Sequence, residues 1–187
     1  RLPSFYLLAG AYSLAFLVGP ATSLHLMPYL TDLGLSAAQA VTAVAVSSAS
    51  GGVGALAAGF LAERFNSKAI LTLDFVLIAV GFFLLPGVTS GALALAWGAY
   101  YGLVHGGMFT LFQIIFADHY GRHSLGALRG LMSPLQASMH ALGPMGAAVT
   151  YDLTGSYGLV FIGFAVATLA AAGCVFFARP PAANDQM

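Results

Sequence analysis

Charged side chains are almost missing from this sequence. Its 187 residues include 6 Lys and Arg and 6 Asp and Glu, so 6% are charged, where a soluble domain carries about a quarter. So little polar surface cannot cover a core facing water, and lipid is the expected solvent. The formal net charge is +0, which removes the case for a nucleic-acid partner. One cysteine, Cys174, excludes an internal disulfide framework. No Gly-x-x-x-x-Gly-Lys-Ser/Thr loop occurs, so the chain supplies no direct ATP hydrolysis. No metal site or organic cofactor is expected, and a coupled proton or ion is the only co-solute left open. The sequence starts at Arg1 with no leader and cleavage site behind it, which fits a piece of a longer protein.

What is present is apolar: 59% of residues are hydrophobic and mean hydropathy is +0.89. Residues 2–31, 33–62, 75–117, 130–151 and 153–178 contain no Asp, Glu, Lys or Arg. The run over 75–117 is broken by the turn-forming cluster LPGVTSG at 85–91. A membrane span needs about 20 residues. These runs predict an all-α integral membrane protein, one domain over 1–187. Its six transmembrane helices are expected at about 5–29, 36–61, 69–86, 91–117, 128–150 and 157–178. Length and the lack of period-two alternation exclude barrel strands.

With six spans, Arg1, Arg64, Lys68, Arg122, Arg129 and Arg179 all fall on the side of the N-terminus. Asp32 and Asp152 fall on the other. The positive-inside rule then places both termini in the cytoplasm, in a cytoplasmic (inner or plasma) membrane. Tyr6, Tyr29, Tyr120, Tyr151 and Tyr157 near the span ends fit an interfacial belt.

The densest charge lies in GFLAERFNSK, residues 59–68, between the second and third helices. It resembles the signature loop of the major facilitator superfamily, Gly-x-Leu-Ala/Asp-Asp/Glu-Arg-x-Gly-x-Lys/Arg, at Gly59, Leu61, Ala62, Glu63, Arg64 and Lys68. Asn66 replaces the usual glycine and is expected to tolerate a left-handed turn there. HLMPYLTDLGLSAAQA (25–40), YGRHSLGALRG (120–130) and LGPMGAAVTYDLTGSYG (142–158) resemble the second half of monocarboxylate- and oxalate/formate-type carriers. The resemblance implies helices 7 to 12 of a twelve-helix secondary transporter, built as two inverted three-helix repeats. It further implies alternating access for a small solute, an organic anion such as a monocarboxylate. The partners it implies are the bilayer, the small-molecule substrate, and an absent N-terminal six-helix half or a second copy.

In that family the loop locks a gate, which implies gating roles for Gly59, Glu63, Arg64 and Lys68. Asp74, the one acid well inside a span, joins them as a gate or packing residue and needs a partner such as Arg64 or Lys68. Small residues at intervals of four, Ser47, Gly51 and Ala55 in the second helix and Gly98, Gly102 and Gly106 in the fourth, predict close helix packing. Beside the second set, Trp97, Tyr101 and His105 share a face. His105 falls near the middle of its span, where transporter sites lie. The resemblance makes the fourth helix cavity-lining, so this stripe is a candidate substrate contact, with plain aromatic packing as its alternative. His140 and Gln136, one turn apart in the fifth helix, are further cavity candidates, with an interhelical hydrogen bond as the alternative. His119 and His123 are expected in a solvated loop. No Lys or Arg is expected deep in a span, so the counter-charge for an anion would come from elsewhere.

Six helices with Ser50 in one and His105 two helices later also resemble a rhomboid-type intramembrane serine protease, although Ser48 stands where that family has glycine. A membrane subunit without transport activity is the third reading.

Overall fold

The structure, a computed structural model, describes residues 2–179, with the side chain of Leu2 excluded. Six long helices run through the described residues: α1 (Leu2–Asp32), α2 (Ala37–Arg64), α3 (Ser67–Leu84), α4 (Gly91–Tyr120), α5 (Leu125–Thr154) and α6 (Gly158–Phe177). No strand occurs among them. Side chains cap the starts of α2, α3 and α4. Ser36 and Gln39 form a reciprocal capping box at α2. Ser90 Oγ accepts from Leu93 N at α4.

Asn66 differs from its expected role. Its backbone is extended (φ −62°, ψ 117°), and its side chain accepts from Ala69 N as the N-cap of α3. A residue that caps a helix needs no left-handed geometry, so the loop loses nothing by lacking glycine there. Among the described residues, positive φ is confined to Gly34, Gly121 and Gly155, at the turns after α1, α4 and α5.

Five of the six helices are long and apolar enough to cross a membrane. The exception is α5, which has the length but carries Arg129, Ser133, Gln136, Ser138 and His140. Proline does not stop it: the helix runs through Pro134 and Pro144, as α1 runs through Pro20 and Pro28. Pro134 cannot donate to the Gly130 carbonyl, and Ser133 Oγ donates to it instead at 3.0 Å.

The packing has a two-fold logic. α1 packs on α5 and α6, α4 packs on α2 and α3, and α3 packs on α6. Exchanging the first three helices with the last three leaves this pattern unchanged, which is what two inverted repeats require. Phe75, Phe82, Phe112 and Phe161 are fully buried between the layers. α2 and α5 flank the bundle with most of their surface uncovered: α2 buries only Ala40, Ala43, Gly54 and Ala58, and α5 only Met132, Gly143 and Ala147.

Contacts fix the two ends of the bundle. At one end Ser67 Oγ donates to Asp118 Oδ2 at 2.6 Å and Arg179 N donates to Ser4 Oγ at 3.2 Å. Lys68 Nζ lies 5.7 Å from the centre of the Phe176 ring. This end gathers the basic residues Arg64, Lys68, Arg122 and Arg179, while Arg1 lies outside the described residues. At the other end His25 ties α1 to α5 and to the N-cap residue of α6, Nε2 to Pro144 O at 3.1 Å and Nδ1 to Tyr157 Oη at 3.2 Å.

Candidate functional site: a polar face on α1, α4 and α5

The aromatic stripe on α4 is a continuous stack. Trp97 lies parallel to Tyr101 at 4.8 Å, Tyr101 lies parallel to His105 at 5.1 Å, and His105 meets Phe109 edge-on at 5.7 Å. Its two ends differ. Trp97 and Tyr101 are buried, and Trp97 Nε1 donates to the Gly81 carbonyl of α3 at 2.7 Å. His105 is only half-buried. Its Nε2 points at Gly19 of α1, where a Cβ would lie 3.0 Å from it, and makes no hydrogen bond. Glycine at position 19 is therefore what lets the imidazole sit between α1 and α4. An unbonded Nε2 also means that Ser50 and His105 form no nucleophile–base pair, which a serine protease needs.

From His105 the face continues onto α1 and α5. Phe109 touches Phe16 at 5.0 Å, and Phe16 lies 6.5 Å from the exposed His140 ring. Tyr12 Oη donates to Gln136 Oε1 at 3.0 Å. One helical turn toward the basic end from Phe109, Gln113 Oε1 accepts from Arg129 Nε at 2.9 Å and from Nη2 at 2.5 Å. Arg129, Gln136 and His140 recur at seven and four residues, so they share one stripe of α5. His105, His140 and Gln136, separated in sequence, thus come to one face together with Tyr12, Gln113 and Arg129.

α5 starts at Leu125, a few residues earlier than the charge pattern suggests, so Arg129 lies in the second turn of the helix, near its start and not deep within it. Gln113 then draws the guanidinium onto the α4 side. Only the rotation of α5 against α4 brings the two together; the one readable signal was an arginine in phase with Gln136 and His140.

A profile described as Major Facilitator Superfamily matches residues 5–186. The chain belongs to that superfamily. No curated protein matches the chain closely enough to serve as a relative. As a member of the major facilitator superfamily it is an integral membrane protein of the class that moves small solutes across membranes.

The remaining candidate residues of this superfamily member sit elsewhere. Glu63 and Arg64 are exposed at the end of α2, and a Cβ on Gly59 would meet open space. Asp74 is buried at 9% exposure and is not paired with Arg64 or Lys68, because Arg64 is exposed and Lys68 lies over Phe176. The basic-end tether is instead Ser67 to Asp118, two residues that no charge pattern singles out. His119 is buried in α4 with Nδ1 bonded to Ile115 O at 2.9 Å; the helix outlasts the apolar run and takes His119 out of the loop. His123 is exposed in the turn.

Gly98, Gly102 and Gly106 lie against the α2 backbone. A Cβ on Gly98 would be 2.5 Å from Ala43 O, and one on Gly102 or Gly106 would overlap the carbonyl of Ser47 or Gly51. A Cβ on Gly54 would overlap Leu103 O. Intervals of four drift round a helix of 3.6 residues per turn. The α2 side of the seam accordingly steps from Gly51 to Gly54 and Ala58 and leaves Ala55 half-exposed.

Proposed function

We propose that the chain is the C-terminal six-helix half of a secondary transporter. It carries a small organic anion of the monocarboxylate class by alternating access across the α1, α4 and α5 face. The observation that carries this reading is Arg129, whose guanidinium is held by Gln113 on the same stripe as Gln136 and His140. A planar guanidinium offers paired donors that match a carboxylate, and Gln113 occupies only Nε and Nη2. His105 and His140 supply groups that can take up a proton alongside the anion. Trp97 and Tyr101 stay packed behind them and orient His105 by stacking.

Uptake of radiolabelled pyruvate by the chain reconstituted with its other half tests this. Arg129→Gln abolishes uptake at unchanged membrane abundance; uptake at the unmodified rate would overturn the anion assignment. Expressed alone as a verified monomer, the chain transports nothing, and robust uptake by such a monomer would overturn the half-transporter reading. The basic end faces the cytoplasm in this reading. In a Cys174→Ala background, a cysteine at exposed position 123 reacts from inside and one at exposed position 36 from outside. Labelling of both from one side would refute that topology.

A further inference from the structure

On the opposite face of α4 from His105, a cavity of about 210 Å³ opens between α2, α3 and α4. At 100° per residue, Leu103 and Gly107 stand about 160° from His105, so this space is separate from the polar face. Its walls are apolar except for Asp74. Asp74 Oδ2 is buried without a hydrogen-bond partner. Oδ1 lies 3.6 Å from where a Cβ on Gly107 would be, so the missing side chain leaves room beside the carboxyl group. No base lines the cavity, and the neighbouring Tyr100 donates its hydroxyl to Leu77 O instead. The mouth is rimmed by the exposed apolar residues Leu61, Leu73 and Leu103.

We propose that this cavity binds a lipophilic amine dissolved in the bilayer, with the amine nitrogen on the Asp74 carboxyl group and the alkyl body along Leu73, Leu77 and Leu103. An unpartnered carboxyl group in apolar walls is costly and gains most from a single cation that brings its own apolar cover. The apolar rim selects a molecule arriving from lipid over one arriving from water. Asp74 lies about 10 Å along α3 from Ser67, deeper than a lipid headgroup tied to the helix end would reach. On binding, the proton of the carboxylic acid passes to the amine, and the product is an ammonium–carboxylate pair. The proposal does not depend on the anion assigned to the polar face.

The test uses the purified full chain in phosphatidylcholine vesicles. Dicyclohexylcarbodiimide adds to protonated carboxyl groups in apolar surroundings and leaves an N-acylurea on Asp74, read by mass spectrometry. N,N-dimethyloctylamine, a tertiary amine that cannot be acylated to an amide, is the ligand probe, and 2-methyldecane is its uncharged counterpart. At about ten times its dissociation constant, the amine slows adduct formation roughly tenfold. The alkane leaves the rate unchanged. Ala57→Phe, which enlarges a lining side chain and leaves Asp74 in place, removes the protection by amine. Equal protection by amine and alkane would overturn the role of Asp74 in recognition. No protection by either, or no adduct on Asp74 in the absence of amine, would overturn the site itself.

Discussion

The seams α2/α4 and α1/α5 are equivalent under the repeat exchange, yet they are built differently. The first is backbone on backbone: Gly98, Gly102 and Gly106 meet the carbonyls of Ala43, Ser47 and Gly51, and Gly54 meets Leu103. Such an approach allows weak Cα–H···O contacts, about 0.5–1 kcal/mol each, and leaves no room for a side chain. The second has one comparable point, Gly143 against Leu17 O. Elsewhere it relies on side chains, with Tyr12 on Gln136 and His25 on Pro144 O, and a cavity of about 310 Å³ adjoins Gly143. The flanking helix α2 is therefore held rigidly, while α5 is held by contacts that can be exchanged. The polar face lies along the exchangeable seam; under the proposed function, α5 shifts against α1 there as a solute passes.

Gly102→Leu gives the largest effect that would test this contrast. The new side chain must displace the Ser47 carbonyl, and the expected loss is about 3 kcal/mol, seen as reduced folded yield and a lower unfolding temperature in detergent. Gly143→Leu is milder, about 2 kcal/mol, because the neighbouring cavity lets α5 give way. Equal losses for the two would show that the seams do not differ in stiffness.

Smaller changes sharpen the picture. Ser67→Ala removes the short hydrogen bond to Asp118 and costs about 1 kcal/mol, read as faster hydrogen exchange at the start of α3. Tyr12→Phe removes one hydrogen bond to half-buried Gln136 and costs at most about 1 kcal/mol. Its clearer signature is kinetic: transport changes while the unfolding temperature barely moves. A temperature drop as large as that of Gly143→Leu would show that the polar contacts, not the glycine, hold α1 to α5.

The spans were legible because scarce charges bracket them and because LPGVTSG breaks the one overlong run. The glycine seam was legible for a similar reason, since spacing alone puts Gly98, Gly102 and Gly106 on one face. What spacing could not reveal was orientation about the helix axis relative to a neighbour. Arg129 looked like a terminal charge until α4 supplied Gln113. Tyr12 carried no signal beyond aromatic bulk, and Asp74 looked like half of an ion pair until Lys68 was found over Phe176. Asn66 was read against the glycine it replaces, when its own capping chemistry was the better guide.

The modest apolarity of α5 bears on how the chain is made. A helix leaving the ribosome is handed to the lipid on its own merits, and an arginine costs about 2.5–3.5 kcal/mol at a helix centre and less near an end, where Arg129 lies. α1 to α4 meet that requirement unaided. α5 does not, but the groups that receive its polar stripe, Tyr12 and Gln113, belong to helices synthesised before it. Order along the gene thus matches order of need: by the time α5 emerges, its berth is already waiting in the membrane.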